Sequence, residues 1–213
     1  MNDPLKFFED QRIIAVIRAN EHVDADAIAK ALIDGGIRIL EITPNIPQHT
    51  KLLESLSKQD QILVGFGSAT DGEQAHRAIN AGARYVSCHY TDKNIFTVCK
   101  NNNTVVIQGA ATVNEAVEAY NLGVDLVKIY PINFLGEVPY ISRLRRSFPF
   151  LKLVPSGGVN LDNFIEYLKS GATACVVGRS LCDKTLIRSH LWSEITERAK
   201  QFIQKLESLK VPR

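Results

Sequence analysis

Eight times along the chain, a short run rich in Ile, Val and Leu is followed by a longer segment whose apolar residues recur at helical spacing. The apolar runs cover 13–18, 37–43, 62–66, 85–88, 104–108, 126–130, 151–154 and 174–177. The helical segments cover 23–34, 48–58, 71–81, 93–101, 113–122, 138–147, 161–170 and 187–209, and a short amphipathic helix near 4–10 precedes them all. Strands separated by helices pair in parallel, and helices then cover both faces of the sheet. Eight such units, with no linker and no break in composition, predict one closed (β/α)8 TIM barrel over residues 1–213 rather than an open doubly wound sheet. Glycines enter several strands (Gly36, Gly82, Gly123, Gly171), which marks similar helix ends without a close sequence repeat.

The 213 residues are 45% hydrophobic, enough for a sizeable core. A formal charge of +2, from 25 basic and 23 acidic residues scattered along the chain, offers no excess to hold a nucleic-acid backbone. The first dozen residues carry acids and no long apolar core, and nothing later approaches the ~18 apolar residues of a membrane span. A soluble cytoplasmic protein with no nucleic-acid or membrane partner is expected. Cys88, Cys99, Cys175 and Cys182 form no Cys-x-x-Cys pair and the five histidines no His-x-x-x-His, so neither a metal site nor a disulfide framework is indicated. The cysteines read mostly as small core residues.

Within this frame Val124-Asp125-Leu126-Val127-Lys128-Ile129-Tyr130-Pro131 puts a lysine in the middle of a strand buried on both faces. An ammonium group taken out of water costs several kcal/mol unless it is paired or sheds its proton. A neutral amine is a nucleophile, and its chemistry with a ketone or aldehyde is Schiff-base formation. The alternative is structural: Lys128 snorkels to the strand end or pairs with a buried carboxylate.

Catalysis in a barrel of this type occurs at the C-terminal ends of the strands. Ile37, Ile39, Glu41 and Thr43 share one face, so Glu41 stands on an otherwise largely apolar surface and can project into the same mouth as Lys128. One member of such a pair can act covalently while the other moves protons; a plain buried ion pair, or Glu41 paired with Arg18, is the competing reading. The last two strands end in Ser156-Gly157-Gly158-Val159 and Gly178-Arg179-Ser180. Glycine loops after strands 7 and 8 suit a phosphate, because bare backbone N–H groups converge there. Gly65-Phe66-Gly67 lacks the full dinucleotide fingerprint and reads as a strand end that the backbone must approach closely.

These stretches, together with Val16-Ile17-Arg18, Leu40-Glu41-Ile42-Thr43 and Gly65-Phe66-Gly67-Ser68, resemble in order and spacing the 2-keto-3-deoxy-6-phosphogluconate (KDPG) and 4-hydroxy-2-oxoglutarate (KHG) aldolase family over nearly the whole chain. The resemblance implies a class I aldolase needing no metal or cofactor, acting on a small phosphorylated keto acid and assembled as a homotrimer. It implies that Lys128 forms the Schiff base and that Glu41 moves protons. Ser156, Gly157, Gly158, Gly178 and Ser180 would hold the phosphate, while Thr43, Ser68 and Thr112 would line the pocket.

The chain also departs from that pattern. Where phosphogluconate enzymes carry an arginine a few residues beyond the glutamate, it has Thr43-Pro44-Asn45-Ile46-Pro47, closer to the 2-keto-3-deoxy-6-phosphogalactonate branch. Carboxylate binding then passes to Arg18, and Asn45 is expected among the substrate-binding residues. Phe66 and Ser68 replace residues of a Gly-Ala-Gly-Thr run, and Cys88 stands where a proline is common; both changes bear on the pyruvate pocket. Cys88 and His89 invite a Cys-His nucleophile, but neighbours on a strand face opposite ways. Two other readings stay open: cleavage of 4-hydroxy-2-oxoglutarate or decarboxylation of oxaloacetate through the same enamine, and a phosphometabolite-binding protein without catalysis.

Overall fold

The computed structural model describes residues 3–210. Eight parallel strands form the barrel wall: β1 (Ile13–Ile17), β2 (Ile39–Ile42), β3 (Leu63–Phe66), β4 (Tyr85–Ser87), β5 (Val105–Ala110), β6 (Leu126–Ile129), β7 (Leu153–Pro155) and β8 (Cys175–Val177). Their order is β7-β6-β5-β4-β3-β2-β1-β8, and a parallel bridge between Ser156 and Val176 closes the ring. Every strand residue is buried, as the expected barrel requires.

The helices are α1 (Pro4–Gln11), α2 (His22–Asp34), α3 (His49–Ser57), α4 (Gly72–Asn80), α5 (Lys93–Asn101), α6 (Val113–Leu122), α7 (Glu137–Ser147), α8 (Phe164–Lys169), α9 (Lys184–Arg188) and α10 (Trp192–Lys210). Local chemistry starts several of them. Asp71 and Asp92 accept backbone N–H bonds at the heads of α4 and α5, and Thr112 with Glu115 forms a capping box on α6. Two expected helices differ. The one expected over 161–170 begins at Phe164, because the carboxamides of Asn160 and Asn163 take nearby backbone N–H groups and hold a turn there. The one expected over 187–209 is broken: His190 adopts φ 50, ends α9, and α10 starts afresh at Trp192.

Two apolar layers result. The outer one packs helices on strands. The inner one fills the barrel with Ile14, Val16, Ile39, Leu63, Tyr85, Ile107, Leu126, Val154 and Val176, and Phe8 from α1 joins it. Entering ahead of β1, Phe8 packs its ring edge-on against Tyr85 with centroids 5.1 Å apart, which plugs the N-terminal end of the barrel. Among the described residues no helix is long and apolar enough to cross a membrane.

Candidate active site

Inward side chains change character toward the C-terminal end of the strands. Glu41, two residues beyond Ile39, and Lys128, two beyond Leu126, follow the strand period into the barrel mouth. Lys128 Nζ lies 3.5 Å from Glu41 Oε1, and the two side chains are 1% and 2% exposed. The other carboxylate oxygen, Oε2, is buried without a hydrogen-bond partner among the described residues. The Glu41 carboxyl rests directly over Gly67, where a Cβ would overlap it, so glycine at 67 is the condition for Glu41 to lie flat across the mouth. A buried ion pair adds stability only when its geometry is tight and its remaining lone pairs are satisfied. This one is long and leaves an acceptor open, which suits a site awaiting a ligand better than a structural brace.

The pair opens into a cleft of roughly 630 Å³. One wall is His89 stacked on Tyr130, ring centroids 4.3 Å apart and planes 20° from parallel. Burial, then the Lys128 charge, with a smaller push from Arg18, lowers the His89 pKa to about 4 against the opposing pull of Glu41. The imidazole is neutral near pH 7 and able to donate from one nitrogen and accept at the other. The opposite wall is built by Ser156, Gly157, Gly158 and Asn160 after β7 and by Gly178, Arg179 and Ser180 after β8. Gly157 and Gly158 have φ 92 and 80, a double left-handed turn suited to glycine, and a Cβ at 158 would come within 2.7 Å of Asn133 Cβ. Among the described residues none accepts from the backbone N–H groups of Gly158, Val159, Arg179 or Ser180. The side chains of Arg18 and Arg179 reach the same space with no anionic partner there.

Eight of the residues singled out from sequence line this cleft: Arg18, Glu41, Lys128, Ser156, Gly157, Gly158, Gly178 and Ser180. Five others do not. The Thr43 hydroxyl, 2.7 Å from the Ile17 carbonyl and 2.5 Å from Asn45 Oδ1, ties the end of β2 to the end of β1. Asn45 donates to the Ala19 carbonyl and faces a neighbouring cavity instead. Ser68 sits at φ 59 in a turn that carries the chain toward β4, where the Ala69 N–H donates to the Ser87 carbonyl. Cys88 points outward into the layer between strands and helices, and burial pushes its thiol up to about 11. Exposed Thr112 spends its hydroxyl on the α6 cap.

Sequence reasoning missed His89, Tyr130, Asn133, Asn160 and Arg179. For His89 the signal was strand phase: with Tyr85 inside and Val86 outside, alternation turns Ser87 and His89 inward and Cys88 outward. Among the described residues no group of three or more His, Cys, Asp or Glu side chains is placed to hold a metal ion.

The fold has counterparts among known proteins. A family model described as KDPG and KHG aldolase matches residues 6–198. A 2-dehydro-3-deoxy-phosphogluconate aldolase of Treponema pallidum is 28% identical over 92% of this chain and 94% of its own length. Among solved structures, a KDPG aldolase from Legionella pneumophila, with pyruvate captured at low pH as a covalent carbinolamine intermediate, superimposes with a TM-score of 0.84. It is 31% identical, and the match covers 93% of this chain and 97% of that one. A native KDPGal structure has the same TM-score at 23% identity, over 93% of this chain and 96% of that one, and shares the fold.

Proposed function

This chain belongs to the KDPG and KHG aldolase family, and on that premise we propose that it is a class I aldolase cleaving a 2-keto-3-deoxy-6-phospho sugar acid to pyruvate and glyceraldehyde 3-phosphate. The observation that carries the proposal is the buried Lys128–Glu41 pair at the cleft floor, with one carboxylate oxygen still open. Lys128 Nζ attacks the C2 carbonyl of the keto acid, giving a carbinolamine; loss of water leaves a protonated imine. Glu41, directly or through a water, takes the proton of the C4 hydroxyl. The C3–C4 bond then breaks, its electron pair flows into the imine, and the aldehyde leaves. The resulting enamine takes a proton at C3, and hydrolysis returns pyruvate and the free amine.

The remaining roles follow from position in the cleft. Arg18 takes the keto-acid carboxylate, a charge-assisted contact roughly twice as strong as a neutral one. The phosphate sits between the two glycine loops, on Ser156, Gly157, Gly158, Gly178 and Ser180, where open backbone N–H groups and Arg179 favour it. The assembly belonging to this reading is a homotrimer and its location the cytoplasm.

The test is chemical trapping. Borohydride added with pyruvate fixes a three-carbon adduct on Lys128, located by mass spectrometry of the digested chain; no adduct, or one on another lysine, overturns the mechanism. Inorganic phosphate should inhibit the reaction of a phosphorylated substrate more strongly than that of pyruvate. Equal inhibition of both would remove the phosphate assignment, and sedimentation at a mass other than three chains would remove the trimer.

A further inference from the structure

A second cavity, roughly 330 Å³, lies beside the cleft where the end of β1 meets the end of β8 and α9. Four cations line it, Arg18, Arg179, Lys184 and Arg188, and no acidic side chain does. None of the four has an ion-pair partner among the described residues. Unpaired cations occur elsewhere on the surface, but here four of them line one cavity, whereas Arg77, Lys100, Lys152 and Arg198 each meet a carboxylate. The acid adjacent in sequence, Asp183, is committed elsewhere: it caps α9 through the N–H groups of Thr185 and Leu186 and holds Arg198 at 2.8 Å. Cys182 in the cavity wall adds no negative charge, because burial pushes its thiol up to about 12.

Like charges gathered round one concavity repel, and their fields add inside it, so the concavity concentrates anions. Val16, Ile187 and Cys182 give the cavity an apolar back, and Asn20 and Asn45 add carboxamides at its edge. Asn45, singled out by sequence and absent from the cleft, is thereby accounted for. We propose that this cavity is a second anion site, separate from the phosphate loops, which binds the phosphoryl group of a small metabolite through Lys184 and Arg188 and draws on Arg18 and Arg179. Because Arg18 and Arg179 also line the cleft, an anion held here competes for the two cations that the substrate needs, so its occupant inhibits. The inhibition rests on the aldolase reading of the cleft; the binding does not.

Calorimetric titration of the full chain with inorganic phosphate tests it, comparing the natural protein with a Lys184→Gln/Arg188→Gln double variant. Both side chains are exposed and neither has a partner to lose. Each charge-assisted contact removed weakens binding by about 10–100-fold, so the variant should take up one phosphate fewer per chain. Equal uptake by the two proteins overturns the second site. Pyruvate–borohydride trapping on both proteins monitors the cleft separately: equal adduct on Lys128 shows that the variant is folded and that the lost phosphate belongs to this cavity. If neither protein forms the adduct, the aldolase reading fails while the difference in phosphate count still decides the anion site. With the reading intact, phosphate should inhibit cleavage less in the double variant than in the natural protein; undiminished inhibition overturns the coupling.

Discussion

The two ends of the barrel interior are built from the same strands and treat polar groups in opposite ways. At the N-terminal end Phe8 is fully buried against Tyr85, whose hydroxyl, well inside, donates to the Leu40 carbonyl at 3.0 Å. Farther along the same strand, the Ser87 hydroxyl is buried without a partner among the described residues. At the C-terminal end, among the described residues, Glu41 keeps an unpartnered oxygen, Lys128 reaches its partner only at 3.5 Å, and Arg18 and Arg179 have no anionic partner. For the buried Glu41 carboxylate, burial without full satisfaction costs about 1–3 kcal/mol or more, whereas Arg18 and Arg179 are exposed; a barrel can sustain that cost at one end because the other end is well packed. The difference separates residues that hold the fold from residues that act, and it can be attacked from either side.

The largest expected effect is at the open end: Lys128→Ala removes the attacking amine, so both the pyruvate adduct and turnover should fall to background in a trapping and rate assay. Next comes Glu41→Gln, which keeps shape but not proton transfer; turnover should drop about 10²–10⁴-fold while borohydride still fixes pyruvate on Lys128. Unchanged turnover would make Glu41 a structural partner only. At the closed end, Phe8→Ala should cost about 3–5 kcal/mol of stability by denaturant unfolding, with adduct formation at low temperature unaffected. If it slowed trapping as much as Glu41→Gln slows turnover, the division between the two ends would fail.

The smallest effect concerns His89, whose pKa falls from an ordinary 6.5 to about 4 in the folded chain. As the pH drops through 6.5 the unfolded chain takes up this proton and the folded one does not, so stability declines from there down to about 4. His89→Asn should flatten that decline in melting temperature, modestly because water screens a half-buried ring. Parallel curves for the two proteins would remove His89 from the charged neighbourhood of Lys128 and Arg18.

How much of this was legible beforehand depended on the length of each signal. Strands of three to six residues flanked by helical spacing declare the barrel, and a charge inside an apolar run declares Lys128 and Glu41. β4 has three residues, too few to show its phase in sequence, so the sequence offers Cys88 for the cleft and passes over His89. Thr112 carried its true role in plain view, since Thr-x-x-Glu ahead of an apolar helix is a capping box, but likeness to a family pocket outweighed it. Thr43 and Asn45 bond backbone carbonyls at the end of β1 and just beyond it, a partnership set by the β1–β2 register and by no local pattern. The cationic cavity joins Arg18 to Arg188 across 170 positions of sequence, where no periodicity reaches.

The ring of strands closes at Ser156 and Val176, an isolated paired position, with the Thr173 N–H donating to the Leu153 carbonyl farther down the joint. Directly above that joint stand the two glycine loops. A phosphate gripped by both would work as a clasp on a hoop, fastening β7 to β8 while it orients the substrate, and ligand held at a hundred times its dissociation constant adds about 2.7 kcal/mol. Backbone amides near the joint should then exchange their hydrogens more slowly in phosphate, while those between β2 and β3 keep their pace.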